Sequence, residues 1–233
     1  NVICGLEGAW DGGLVWIRAN LPGPLVMAPV GDWDSVDWSS VLPERWPGGT
    51  VFLDVPAGLA RRWERALPGR LKAVPSRSEW EYVHKVEDLV TLRGNRFRNK
   101  AQKVRRFLEA FEPDYVSVGP HNLDEVRAFQ EEWCRNRGCA GDSSLAEEDR
   151  AITSTLDAWE KLEGIFGASL TVEGRMVAYT LAEPVDEETV AIRFEKASPH
   201  FRDAYQAVNR LFLERACGGF AWVNREEDMG DPG

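Results

Sequence analysis

Arg193 and Glu195 are the residues best placed by type and spacing to do chemistry; they lie two apart in Val190-Ala-Ile-Arg-Phe-Glu-Lys-Ala197. Apolar and polar residues alternate there, which reads as a strand from Thr189 to Lys196. Val190, Ile192 and Phe194 would point one way, and Ala191, Arg193 and Glu195 the other. A carboxylate and a guanidinium on one face can, respectively, accept a proton from an attacking amine and hold a substrate carboxylate or phosphate. The competing reading of the same two residues is a solvated or structural ion pair. A second feature is cationic: Arg93, Arg96, Arg98, Lys100, Lys103, Arg105 and Arg106 follow one another with no acidic residue between them. The chain as a whole carries a formal net charge of -10. That excludes a protein that coats nucleic acid indiscriminately, but a local basic surface on an acidic body can still hold phosphates. The competing reading of the basic run is a solvated face worth little energetically.

The elements that must position these groups follow from periodicity. Phe97, Ala101, Val104, Leu108 and Phe111 recur at spacings of three and four. This predicts a helix docked by one apolar stripe, with Arg98, Lys103, Arg105 and Arg106 largely off it. Glu112-Pro113-Asp114 stops that helix and marks an expected boundary between halves of residues 1–112 and 113–233. Asn122 with Glu125, and Ser144 with Glu147, carry the capping signature of two further helices, the first ending at Gly138. Leu123, Val126, Phe129 and Trp133 give the first its buried face; Ile152, Leu156 and Trp159 serve the second. Three strands are expected next, Ile165 to Val172, Arg175 to Glu183 and Thr189 to Lys196, joined by Glu173-Gly174 and a polar loop. A helix from Ala204 to Ala216 and a strand from Phe220 to Val223 complete this half. In the first half, Gly13 to Ile17, Pro24 to Met27 and Thr50 to Asp54 read as buried strands, and Ala57 to Ala66 as a helix. Trp33, Trp38, Trp46, Trp63 and Trp80 read as packing residues.

With 233 residues, 43% of them hydrophobic and 28% charged, the chain can bury a sizeable core. No apolar run approaches the roughly 20 residues a membrane helix needs, and Asn1-Val-Ile-Cys-Gly lacks the pattern of a secretory signal. A soluble, cytoplasmic domain is the expectation. Cys4, Cys134, Cys139 and Cys217 lack the paired spacing of a zinc site, so free thiols and no metal are expected.

Order and spacing add a resemblance. Helix, helix, three-stranded meander, helix and strand is similar to the order of the GCN5-related N-acetyltransferase fold, in which the helix after the fourth strand presents its N-terminus to an anionic group. From about residue 80 onward the chain resembles the C-terminal domain of phosphatidylglycerol lysyltransferases and their free-standing relatives of unassigned function. The resemblance is carried by Glu87-Asp-Leu-Val-Thr-Leu-Arg-Gly-Asn-Arg-Phe-Arg-Asn-Lys100, Val172-Glu-Gly-Arg-Met-Val-Ala178, Phe194-Glu-Lys-Ala197, Tyr205-Gln-Ala-Val-Asn209 and Asn224-Arg-Glu-Glu-Asp228. It implies an α/β (α+β) fold of tandem acetyltransferase-like halves, with mixed, largely antiparallel sheets flanked by helices, the first half being degenerate. It implies transfer of an aminoacyl group from aminoacyl-tRNA to a lipid or small-molecule acceptor, without a further cofactor. On this reading Glu195 is general base or amine anchor beside Arg193. Lys196, Tyr205, Asn209, Asn224, Arg225 and Asp228 line the substrate site, and the Arg93 to Arg106 surface holds tRNA phosphates. The alternatives are an acyl-CoA-dependent N-acyltransferase and a non-catalytic module binding RNA or protein. Acyl-CoA is disfavoured because Ser198-Pro-His-Phe-Arg-Asp-Ala204 has no glycine to let backbone N–H groups approach a pyrophosphate.

Overall fold

In a computed structural model, which describes residues 6–19 and 25–227, the short apolar runs of the first part become strands of a five-stranded mixed sheet. β1 (Leu6–Asp11) and β2 (Leu14–Ala19) form an antiparallel hairpin. β3 (Leu25–Met27) and β4 (Val30–Gly31) both pair with β2, and β5 (Val51–Leu53) joins β3 in parallel. The expected start of β3 at Pro24 lies outside the described residues. Helices α1 (Trp38–Arg45) and α2 (Ala57–Ala66) bury Trp38, Leu42, Leu59 and Trp63 against Leu14 and Trp16. The rings of Trp38 and Trp63 meet edge-on at 5.5 Å, and Trp33 and Trp46 pack on the same cluster. Trp80 is 55% exposed, at the rim rather than in a core.

The chain divides into compact units Asn1–Glu79 and Trp80–Gly233, so the boundary does not fall after Glu112. The second unit opens with β6 (Glu81–Lys85), α3 (Val86–Thr91) and α4 (Arg98–Phe111). Its remaining elements are β7 (Asp114–Val118), α5 (Leu123–Arg137), α6 (Ser143–Asp157), β8 (Phe166–Val172), β9 (Arg175–Pro184), β10 (Thr189–Ala197), α7 (Ala204–Ala216) and β11 (Trp222–Glu227). The six-stranded sheet runs β6-β11-β10-β9-β8-β7. Glu112 does stop α4, in a left-handed conformation. The helix nevertheless spends its apolar stripe on the second core, where Phe107 is fully buried with Ala207, Val208 and Leu211 of α7. β6 in turn hydrogen-bonds to β11, with His84 opposite Val223. Those ties outweigh the Pro113 signal.

The sheet is covered on both faces. Val126, Phe129 and Trp133 of α5 and Ile152 and Leu156 of α6 pack with Tyr179 and Leu181; α3 and α7 pack with Ala182, Val190 and Ile192. α6 is capped by Asp142, whose side chain accepts from the N–H groups of Ser144 and Leu145, rather than by Ser144. Asn122 stands at the start of α5, but its side chain closes the preceding turn, bonding Gly119 and Ser117. The free-thiol expectation fails for Cys134 and Cys139, which form a disulfide. α5 ends at Gly138 with φ 74°, a left-handed turn that suits glycine and brings the two Cα atoms to 5.2 Å. Cys217 is free and buried, and burial pushes its thiol up to about 12.

Irregularities in two neighbouring strands shape one end of the sheet. In β10 the register against β9 slips between Ile192, opposite Ala182, and Phe194, opposite Leu181. This bulge at Arg193 adds a residue and reverses the alternation. Phe194 therefore packs with the α5 and α6 cluster, whereas Ile192 packs with the α7 cluster. In β11 the register against β6 slips between Asn224 and Glu227, with Glu226 at φ 61°. β10 and β11 run in parallel only from Thr189–Ala191 against Trp222–Asn224, and part beyond that.

Candidate functional site

Where β10 and β11 part, three residues singled out in the sequence meet. Asn209 of α7 donates from Nδ2 to Glu195 Oε2 at 2.9 Å, and Arg225 of β11 donates from Nη2 to Glu195 Oε1 at 2.9 Å. The Glu195 side chain is only 9% exposed, while that of Arg225 is 33% exposed. Each carboxylate oxygen keeps a lone pair beyond the bond it accepts, so Glu195 can still take a proton. Thr180 stands opposite Glu195 in the register of β9 and β10 and shares its face of the sheet. Its Oγ1 and the Nε of Arg225 are buried without a hydrogen-bond partner.

Lys100 of α4 and His84 of β6 belong to the same charged neighbourhood. Burial, then the charge of Arg225, holds the Lys100 ammonium below its ordinary value; Lys103 acts the same way, and Glu195 opposes it. Burial, then Lys100, Arg225 and Arg96, holds the His84 imidazole below its ordinary value, with Asp88 opposing. His84 and Thr180 were missed in the sequence, where neither sits in a distinctive motif. Lys100 had a signal: counted with Phe97, Val104, Phe107 and Phe111, it falls on the apolar stripe of α4 rather than off it.

Arg193 does not join Glu195. The bulge directs it to Glu183, whose Oε1 accepts from Nε at 2.7 Å, and to Glu226, with which it forms a second ion pair. Lys196 points to the opposite face, where it is buried, paired with Glu148 of α6 and set 4.5 Å over the ring of Trp133. Trp133 Nε1 donates to the Ala197 carbonyl at 3.2 Å, and the Tyr205 hydroxyl bonds at the same place. Burial raises the Tyr205 pKa, although those hydrogen bonds oppose the shift. Tyr179 donates to Gln130 at 2.8 Å, and Gln130 donates to Asp149 at 2.9 Å. Burial holds the Tyr179 phenol well above its ordinary range, so it acts as a neutral donor. Lys196 thus sits in a second polar cluster, behind β10 from Glu195, whereas Tyr205 lies one turn before Asn209 on α7 and feels the Glu195 charge; sequence reasoning found neither Glu148 nor Gln130. The Asn224 side chain accepts from the Glu226 N–H at 2.8 Å and braces the β11 bulge. Asp228 lies outside the described residues.

The basic run is divided in its loyalties. Arg96 pairs with Asp88 at 2.6 Å and lies 4.6 Å over the Phe97 ring. Arg105 approaches Glu109 at 3.7 Å, and Arg106 grips Asp203, whose carboxylate is 6% exposed at the start of α7. Among the described residues Arg93, Arg98 and Lys103 make no ion pair, and Arg93 and Arg98 are exposed. Among the described residues no group of His, Cys, Asp and Glu could hold a metal ion, and no helix is long and apolar enough to cross a membrane.

Comparisons with known proteins show the family and the fold. Residues 21–233 match the family model described as phosphatidylglycerol lysyltransferase, C-terminal. No curated protein matches the chain. A solved structure of a conserved protein of unknown function from Bacteroides thetaiotaomicron is 26% identical, with a TM-score of 0.88 over 99% of this chain and 79% of that one. L-PGS from Bacillus licheniformis is 15% identical, with a TM-score of 0.62 over 97% of this chain and 71% of that one. FemX is 11% identical, with a TM-score of 0.61 over 98% of this chain and 81% of that one. The last two share the fold: mixed, largely antiparallel sheets flanked by helices.

Proposed function

We propose that this chain, which belongs to the phosphatidylglycerol lysyltransferase C-terminal family, transfers an aminoacyl group from aminoacyl-tRNA to a lipid or small-molecule acceptor. The observation that carries this reading is the Glu195 carboxylate, held between Asn209 and Arg225 where two parallel strands separate. An aminoacyl ester is already activated, so the protein has to align two substrates, move one proton and stabilise one oxyanion. The acceptor's hydroxyl or amine attacks the ester carbonyl, and its proton passes to Glu195. The tetrahedral intermediate collapses, the bond to the tRNA ribose oxygen breaks, and that oxygen takes the proton. Asn209 and Arg225 fix the carboxylate.

Arg93, Arg98 and Lys103 are the cations this reading gives to tRNA, since their charges are not spent on a protein partner. Lys196 acts from behind β10, as a positioning residue for the strand that carries Glu195, and Tyr205, one turn before Asn209 on α7, lines the substrate site. The first unit, a mixed sheet with α1 and α2, is on this reading a reduced acetyltransferase-like half, and the cytoplasm, where aminoacyl-tRNA is made, is the site of action. An acyl-CoA donor is disfavoured by charge as well as by the missing glycine. The start of α7, where a pyrophosphate would dock, holds the Asp203 carboxylate with Arg106 already bound to it.

The test is incubation with a pool of tRNAs carrying labelled amino acids, plus cell extract as the source of acceptor. Label leaving tRNA for a stable product supports the reading and names the donor. No transfer, with a binding response to CoA, would replace it with the acyl-CoA reading.

A further inference from the structure

Around Thr180 the face of the sheet beneath α7 is lined with alanine. Ala168 of β8, Ala178 and Ala182 of β9 and Ala197 of β10 are all buried there. Ala168 is the register partner of Thr180 on one side and Glu195 on the other, and Ala178 and Ala182 flank it two residues away on the same face. Into this lining come three polar side chains: Thr180, Glu195 and, from α7, Asn209. Thr180 is fully buried and its Oγ1 has no hydrogen-bond partner. A buried hydroxyl without a partner is a cost to the fold that valine would avoid, and such a group asks for an explanation. The bonds made by Glu195 supply one. The Asn209 amide N–H and the Arg225 guanidinium N–H are both donors, and donors suit a carboxylate. Once Glu195 has taken a proton it carries an O–H that neither donor can receive. A threonine hydroxyl donates or accepts as its O–H rotates, and residues directly opposite on antiparallel strands have Cβ atoms about 4.5–5.5 Å apart. The Thr180 hydroxyl is therefore within one side-chain rotation of the Glu195 carboxyl.

We infer that Thr180 is a positioning residue for proton transfer, its Oγ1 accepting the O–H of Glu195 once the carboxylate has taken the acceptor's proton. The inference deepens the transferase reading and rests on it for the source of that proton. Thr180 itself gains no proton. The acceptor's N–H or O–H bond breaks as its heavy atom bonds the ester carbonyl carbon, and Glu195 holds the proton as a carboxylic acid. The ribose oxygen takes that proton when the ester C–O bond breaks. Between those two events the acid needs an acceptor for its O–H, because a buried polar group left unpaired is costly. Thr180 supplies it, so that the charged form is satisfied by Asn209 and Arg225 and the neutral form by Thr180. Burial suits this role, since Thr180 has to reach the nearly buried Glu195 side chain and not the substrate.

The full chain is compared as wild type, Thr180→Val and Thr180→Ser by two measurements. One is transfer from the pool of labelled aminoacyl-tRNAs with cell extract as acceptor source. The other needs no substrate: the infrared carbonyl stretch of protonated Glu195, identified as the acid band missing from Glu195→Gln. Thr180→Val keeps the shape and loses the hydroxyl. It should melt no lower than wild type and transfer about tenfold more slowly at saturating aminoacyl-tRNA with KM unchanged, the loss of about one hydrogen bond made only during the reaction. Its Glu195 band should move to higher frequency, as for an acid whose O–H has lost its acceptor. Thr180→Ser should restore both the rate and the band. An unmoved band or a wild-type rate in Thr180→Val would overturn the inference, as would a melting temperature well below wild type, which would show the hydroxyl spent on the fold. A shifted band in a protein that transfers nothing keeps the contact between Thr180 and Glu195 and removes the transferase reading. Equal transfer by all three proteins, with an unmoved band, does the reverse.

Discussion

At the scale of the residue, the chemistry turns on charges held in a half-buried place. His84 illustrates it: its imidazole is held below the ordinary 6.5 by burial and by Lys100, Arg225 and Arg96. A depressed folded pKa means that the unfolded chain binds the proton more readily. Stability from this group is therefore present above about 6.5 and lost as pH falls through the folded value. Melting temperatures of wild type and His84→Gln between pH 7.5 and 5.5 should show the wild type losing more on acidification. Parallel pH profiles would remove His84 from the cluster. Glu195, Asn209 and Arg225 were legible in the sequence because their motifs have recognisable spacing. The supposed partnership of Arg193 with Glu195 was not, because period-two alternation assumes an unbroken ladder. A single inserted residue at the bulge turned Arg193 to Glu183 and Glu226 and sent Phe194 to the other core.

At the scale of the element, the strands behind the site leave little room for error. Gly167 of β8 lies opposite Leu181, and a Cβ there would meet the Thr180 carbonyl oxygen and, at 2.7 Å, Leu181 Cδ2. Gly167→Ala should therefore cost about 1–3 kcal/mol of stability through overpacking of β9. Denaturant unfolding measures it; a change within about 0.5 kcal/mol would mean the strands can part freely there. Helices and strands of the second unit were readable from their periods, since apolar spacing of three and four, or of two, is imposed by burial against one sheet. The unit boundary was not. The apolar stripe of α4 states that the helix docks, but not on which core, and Pro113 is a strong local signal for a stop that turned out to lie inside the unit. The Cys134–Cys139 pairing was also invisible, since it depends on the left-handed turn at Gly138 and not on cysteine spacing.

At the scale of the whole molecule, an acidic body of formal net charge -10 must accept a polyanion if it uses tRNA. Long-range attraction is then weak, and binding must rest on local cations not already neutralised by carboxylates. Neutralising Arg93 and Arg98 should weaken tRNA binding and lower the salt dependence of log K by about one per cation. Arg106→Met, which releases Asp203 at the start of α7, should act on stability with little change in that slope. A slope unaffected by Arg93 and Arg98 would place the RNA elsewhere. The decisive experiment follows the transfer rate of a labelled aminoacyl group from tRNA by wild type, Glu195→Gln and Arg193→Met, with tRNA binding recorded alongside. Glu195→Gln should lose about 10²–10⁴-fold in rate at unchanged tRNA affinity, and Arg193→Met should transfer at a near wild-type rate. Transfer by Glu195→Gln at the wild-type rate would contradict the role of Glu195 as the proton acceptor.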